Sequence, residues 1–202
     1  MQQSARPVCR DTADEHLAEV VSLARAGDLE AFNALFVDYS ARICTYLARM
    51  VGNDEEGRDL AQETFVKVWS TLPAIREPAH FSAWLYRIAT NVAIDYLKTR
   101  QHRHWLAWST VEQGRSPQVL DTTARIGETE HVKQALASVV PKYRACLLLQ
   151  IEGGFAQREI ADLLHLSEKS ISVYVQRGCE QFRQAYARLA SEQSSPLKGA
   201  NK

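Results

Sequence analysis

The chain has 202 residues, 46% of them hydrophobic and 24% charged, and its 24 basic and 24 acidic side chains cancel to a formal net charge of zero. No apolar run approaches the roughly 20 residues needed to cross a bilayer, and the opening MQQSARPVCRDTADEH lacks the apolar core of a signal peptide. Neither direct membrane insertion nor export is therefore expected, and a cytoplasmic globular protein of one large or two small domains is the expectation.

Residues 1 to 13 show no apolar periodicity and read as a mobile tail. Leu17, Val20, Val21 and Ala24 then mark a short helix that Gly27 and Asp28 break. A longer one follows through Leu29, Phe32, Leu35, Phe36, Tyr39, Ile43, Leu47, Met50 and Val51. Gly52, Asn53 and Asp54 end it and cap a third helix running to about Leu72, with Leu60, Phe65, Val68 and Trp69 able to face inward. This helix is acidic: from Gly52 to Thr64 stand Asp54, Glu55, Glu56, Asp59 and Glu63 against Arg58 alone, a net charge near −4.

The loop LPAIREPAH holds Pro73 and Pro78, which discourage helix. A fourth helix runs from Phe81 to about Arg100, with Phe81, Trp84, Leu85, Ile88, Val92 and Tyr96 on an apolar face and Arg87, Asn91, Ile94 and Lys98 on another. From Leu72 to His104 the balance is basic, near +3, with three histidines. Adjacent acidic and basic blocks suggest two partner surfaces; solvated helix faces are the plainer account. From about His102 to Gly127 periodicity dissolves, and the segment reads as a flexible linker between two helical domains, 14–101 and 128–190. Trp105 and Trp108 sit oddly in a solvated linker and point to docking, on the chain itself or on a partner.

Helix resumes with Val132, Ala135, Leu136 and Val139. Pro141 opens PKYRACLLLQIE, and Gly153 and Gly154 close it. The stretch Phe155 to Tyr186 then reads as two helices about a tight turn, the first burying Ile160, Ala161, Leu163 and Leu164, the second Ile171, Val175, Phe182, Tyr186 and Leu189, with Ser167 as N-cap. Such a helix-turn-helix usually lays its second helix in a DNA major groove; an ordinary helical hairpin shares the pattern. The tail SEQSSPLKGANK reads as disordered. Cys9, Cys44, Cys146 and Cys179 form no CxxC pair, so free thiols are expected, with neither a metal site nor a disulfide. No phosphate loop or nucleophile motif appears, so no catalytic residue, enzyme activity or cofactor is expected.

Three blocks in this order, DLAQETFVKVW, FSAWLYRIATNVAIDYLK and VVPKYRACLLLQIEGGFAQREIADLLHLSEKSISVYVQRG, give the chain its resemblance to the bacterial RNA polymerase sigma factors of the small, two-domain extracytoplasmic-function type. The resemblance covers about residues 25 to 190 and implies an all-α, non-enzymatic protein with RNA polymerase core and promoter DNA as partners, monomeric when free. Relatives commonly have an anti-sigma partner as well. It implies that Asp59, Gln62 and Glu63 bind the polymerase core. Arg76, His80, Arg87, Asn91 and Lys98 would melt and hold the minus-ten element. Lys169, Ser172, Val173, Gln176 and Arg177 would read the minus-thirty-five element, on a helix less basic than many relatives carry. Trp84 reads as core rather than as a base-stacking platform. An operator-binding regulator independent of polymerase core is the alternative.

Overall fold

The computed structural model describes residues 9–110 and 128–193, with side chains for 15–100 and 130–191. What the sequence predicts for 1–8, 111–127 and 194–202, and for the side chains of Cys9, Trp105 and Trp108, lies outside the described residues. Eight α-helices are described: α1 Cys9–Arg25, α2 Leu29–Val51, α3 Asp54–Thr71, α4 Phe81–Thr110, α5 Glu128–Ala137, α6 Pro141–Ile151, α7 Gln157–Leu164 and α8 Glu168–Gln193. Among the described residues there is no strand.

Local chemistry sets most boundaries. The Asp28 carboxylate accepts from the amides of Glu30 and Ala31 and starts α2, and the Asn53 side chain accepts from Glu55 and Glu56 and starts α3. Gly52 closes α2 in the left-handed region at φ 82. The proline loop forms 3-10 turns at Leu72–Ala74 and Pro78–His80, each with its proline in the first positions, where a missing N–H costs nothing. Ser167 Oγ accepts from the Ser170 amide at 3.3 Å, and His165, left-handed at φ 53, turns the chain between α7 and α8.

Three helices outrun their sequence pattern. α1 begins at Cys9 rather than after residue 13, α4 reaches Thr110 rather than Arg100, and α8 runs to Gln193, three residues into the expected disordered tail. None of these stretches contains Gly or Pro, so an established helix can propagate through them even where apolar periodicity has ended.

The N-terminal half packs α1 and α3 on α2 and caps the layer with α4, burying Leu35, Ile43, Leu47, Phe65, Val68, Phe81 and Leu85. The buried Tyr46 hydroxyl bonds Thr90 Oγ1 at 2.7 Å, and burial holds that phenol well above its usual pKa. Trp84 is half-buried with its ring 5.9 Å from Phe81, so it belongs to the core rim, whereas Trp69, at 39% exposure, leans on Phe32 from outside instead of entering the core. In the C-terminal half only Ile171 of the expected α8 stripe is fully buried; Val175, Phe182, Tyr186 and Leu189 are half-buried, since α8 is covered along one side by α5 and α6.

The halves meet in one hydrophobic cluster, with α5 and α6 against α2 and α6 and α7 against α4. Arg144, only 3% exposed, donates from α6 to the carbonyls of Met50 (2.6 Å), Val139 (3.0 Å) and Ala137 (3.1 Å). Burial lowers its pKa to about 10, which leaves it cationic at neutral pH. Arg49 pairs with Glu152, Lys133 with Asp54, and the Tyr86 and Phe155 rings meet edge-on at 5.2 Å.

Candidate nucleic-acid interface

The expected site residues form three exposed faces. On α3, Asp59, Gln62 and Glu63 follow the i, i+3, i+4 spacing of a single helix face, and all are exposed. Glu63 pairs with Lys67 at 2.7 Å. Val66, 68% exposed at the next position of the same face, went unnoticed in the sequence because its apolar character suggests the core. An acidic helix face bordered by an exposed apolar side chain suits a basic, partly apolar protein surface rather than DNA.

The second face belongs to α4 and the loop before it. Arg76 and His80 are exposed on the loop, where His80 Nδ1 lies 2.6 Å from Glu77 Oε2, and Arg25 Nη1 donates to the Ile75 carbonyl at 3.4 Å and ties the loop to α1. Arg87, Asn91 and Lys98 are exposed along α4 on one stripe. From His80 to Lys98 a helix rises about 27 Å, so the five residues form a track and not a point site. Such a track fits an extended strand, with cations for phosphates and amide groups for unstacked bases. Lys98 differs from the others. It bonds Asp95 at 3.4 Å and lines a cavity of about 700 Å³ that α4 shares with Ala137, Pro141, Arg144 and Leu166 of the other half.

The third face lies on α8, where Lys169, Ser172, Val173, Gln176 and Arg177 share one exposed side and Val173 is 44% exposed. Gln176 Nε2 donates to Glu180 Oε1 at 3.2 Å, and Arg177 Nη1 donates to the Tyr143 hydroxyl at 3.1 Å. That bond is the main reason the Arg177 pKa rises above its usual value. Sequence reading passed over Tyr143 and Lys142, because their neighbourhood with α8 arises from a helix crossing and not from any local pattern. Cys146 is buried, Cys44 and Cys179 are half-buried, and no cluster of metal-ligating side chains occurs among the described residues.

Residues 35–103 match the model of sigma-70 region 2, and residues 130–182 match that of sigma-70 region 4. The RNA polymerase sigma factor CarQ of Myxococcus xanthus is 31% identical over 173 residues, covering 83% of this chain and 96% of its own. The chain belongs to the RNA polymerase sigma factors of the extracytoplasmic-function type. The ECF RNA polymerase sigma factor SigW of Bacillus subtilis is 26% identical over 171 residues, covering 79% of this chain and 90% of its own. Among solved structures, the sigma factor RpoE of Bartonella quintana, in complex with the anti-sigma factor NepR, shares the fold at a TM-score of 0.63 and 15% identity, over 78% of this chain and 97% of that one. CnrH, in complex with the cytosolic domain of CnrY, does so at a TM-score of 0.53 and 20% identity, over 87% of this chain and 97% of that one. Regions 2 and 4 thus correspond to the two packed halves, with the acidic and basic faces on the first and the helix-turn-helix on the second.

Proposed function

We propose that this sigma factor gives RNA polymerase core its promoter specificity through three faces with separate tasks. Asp59, Gln62 and Glu63 on α3 dock on the core. Arg76, His80, Arg87, Asn91 and Lys98 capture the opened minus-ten strand. Lys169, Ser172, Val173, Gln176 and Arg177 read the minus-thirty-five duplex. The working units are 14–101 and 128–190, joined through 102–127. The chain acts in the cytoplasm beside the polymerase, monomeric when free, and performs no catalysis itself.

The observation that carries this reading is the segregation of chemistry: an acidic face on α3 and a cationic track on α4 are exposed within one packed half, while a helix-turn-helix face is exposed on the other. A single operator-reading module has no use for the first two. No helix among the described residues is long and apolar enough to cross a membrane, which fits a protein that works on polymerase and DNA. The complexes of RpoE with NepR and of CnrH with CnrY support a further partner, an anti-sigma protein that holds the factor inactive.

Replacing Arg177 by Ala tests the division of tasks. Promoter-dependent transcription falls by roughly tenfold, the worth of one good base or phosphate contact, while affinity for core is unchanged. Equal loss of core binding would show that the α8 face has been misassigned. An operator-binding regulator is not favoured; it would bind a palindrome as a dimer without polymerase.

A further inference from the structure

The exposed face of α8 is thinly charged, with no basic side chain between Lys169 and Arg177. Affinity for duplex DNA comes largely from phosphate neutralisation, so a face with these two cations is short of anchors. The neighbouring helix supplies what is missing. α6 crosses α8 at Gly178, where the Tyr143 carbonyl oxygen comes within 3.1 Å of the place a Cβ would occupy. The crossing sets the first turn of α6 beside the reading face. The Tyr143 and Tyr174 rings lie 5.1 Å apart, Lys142 Nζ stands 4.8 Å above the Tyr174 ring, and Arg177 donates to the Tyr143 hydroxyl at 3.1 Å. Lys142 and Arg177 are exposed, whereas Tyr143 and Tyr174 are half-buried and held by packing. Glu180, one turn further along α8, accepts from Gln176.

We propose that the duplex-reading surface of region 4 extends from α8 onto the first turn of α6, with Lys142 as a phosphate contact and Tyr143 as the positioning residue that aims Arg177. The proposal rests on the reading of α8 as the minus-thirty-five reader. An aromatic ring holds an ammonium in place without cancelling its charge, as a carboxylate would, so Lys142 arrives at DNA ordered and still cationic. A guanidinium carries five donors in a planar fork; one bonded to the Tyr143 phenol leaves others free for a guanine edge or a phosphate, with the side chain already oriented.

The test uses holoenzyme assembled from polymerase core and the full chain, with binding measured against salt on a panel of single-base variants of the minus-thirty-five element. Lys142→Gln weakens binding to every variant by the same factor and reduces the slope of log affinity against log salt by about one. Tyr143→Phe keeps the ring and leaves that slope unchanged, but relaxes base discrimination roughly threefold or more at the position where Arg177→Ala also relaxes it. An unchanged slope in the lysine variant removes Lys142 from the surface. Full discrimination in the phenylalanine variant, with Arg177→Ala relaxed, removes the positioning role of Tyr143. If Arg177→Ala itself discriminates as well as the parent, the assignment of Arg177 as a base reader has failed and Tyr143 falls with it, while Lys142 still stands or falls on its salt slope.

Discussion

The pair Arg49–Glu152 shows how a single contact between the halves titrates. Burial raises the Glu152 carboxyl, Arg49 beside it lowers it, and burial prevails, so its folded pKa lies above the unfolded value of about 4.3. A carboxyl raised in this way contributes most to stability below its unfolded pKa and loses that contribution as pH rises through the folded one. Arg49→Ala removes the compensating cation. At pH 7 it destabilises by about 1–2 kcal/mol, less than for a fully interior pair because the Arg49 side chain is 39% exposed. The deficit is smaller at pH 5 than at pH 7, because lowering the pH favours the neutral form of a carboxyl whose pKa is raised by burial. Denaturant titrations at the two pH values check this, and an equal deficit at both would remove Glu152 as the responsible partner. Arg144 was harder to foresee from the sequence. In PKYRACLLLQIE it looks like a solvated helical charge, and only the fold brings the Met50, Ala137 and Val139 carbonyls to its guanidinium.

At the scale of elements, legibility followed locality. α2, α3 and the turn between them were readable because Gly52, Asn53 and the apolar spacing act within a few residues of one another. The ends of α1 and α4 were not, since propagation of a helix leaves no periodic mark. Nor was Gly57, which occupies the interior of α3, where glycine costs about 1 kcal/mol relative to alanine. The α2–α3 crossing explains it: a Cβ at Gly57 would lie 2.5 Å from the Ala48 backbone N and Cα, and backbone cannot step aside as a flexible side chain can. Overpacking therefore opposes the gain in helix propensity and exceeds it. Gly57→Ala is expected to destabilise by about 2–3 kcal/mol net, read as a lowered denaturant midpoint. A stabilised variant would mean that α2 and α3 do not approach so closely. The exposure of the three proposed faces was readable in part for the same reason as the caps: the α3 and α8 residues, and Arg87, Asn91 and Lys98 of α4, each stand at helical spacing on one helix, whereas Arg76 and His80 lie on the loop before α4.

At the scale of the whole molecule, the packing of region 2 on region 4 is what the sequence did not announce, because residues some hundred positions apart carry no shared pattern. It has a geometric consequence. The two promoter elements lie roughly 25 base pairs apart, about 80 Å along the duplex, while a packed chain of this length is only about 40 Å across. For α4 and α8 to engage both elements as proposed, the halves have to part, breaking the Arg144–Met50, Arg49–Glu152 and Lys133–Asp54 contacts. Fluorophores on exposed positions of α3 and α8 should move apart by tens of ångströms when core and promoter bind, and an unchanged distance would refute the opening. The most direct measurement of the whole account is run-off transcription with purified polymerase core on a promoter from the gene's own upstream region. A discrete transcript should appear only when the chain is added, and should disappear when Asp59, Gln62 and Glu63 are replaced together by alanine. A chain that binds the DNA as a dimer without core, and yields no new transcript with it, would contradict the account.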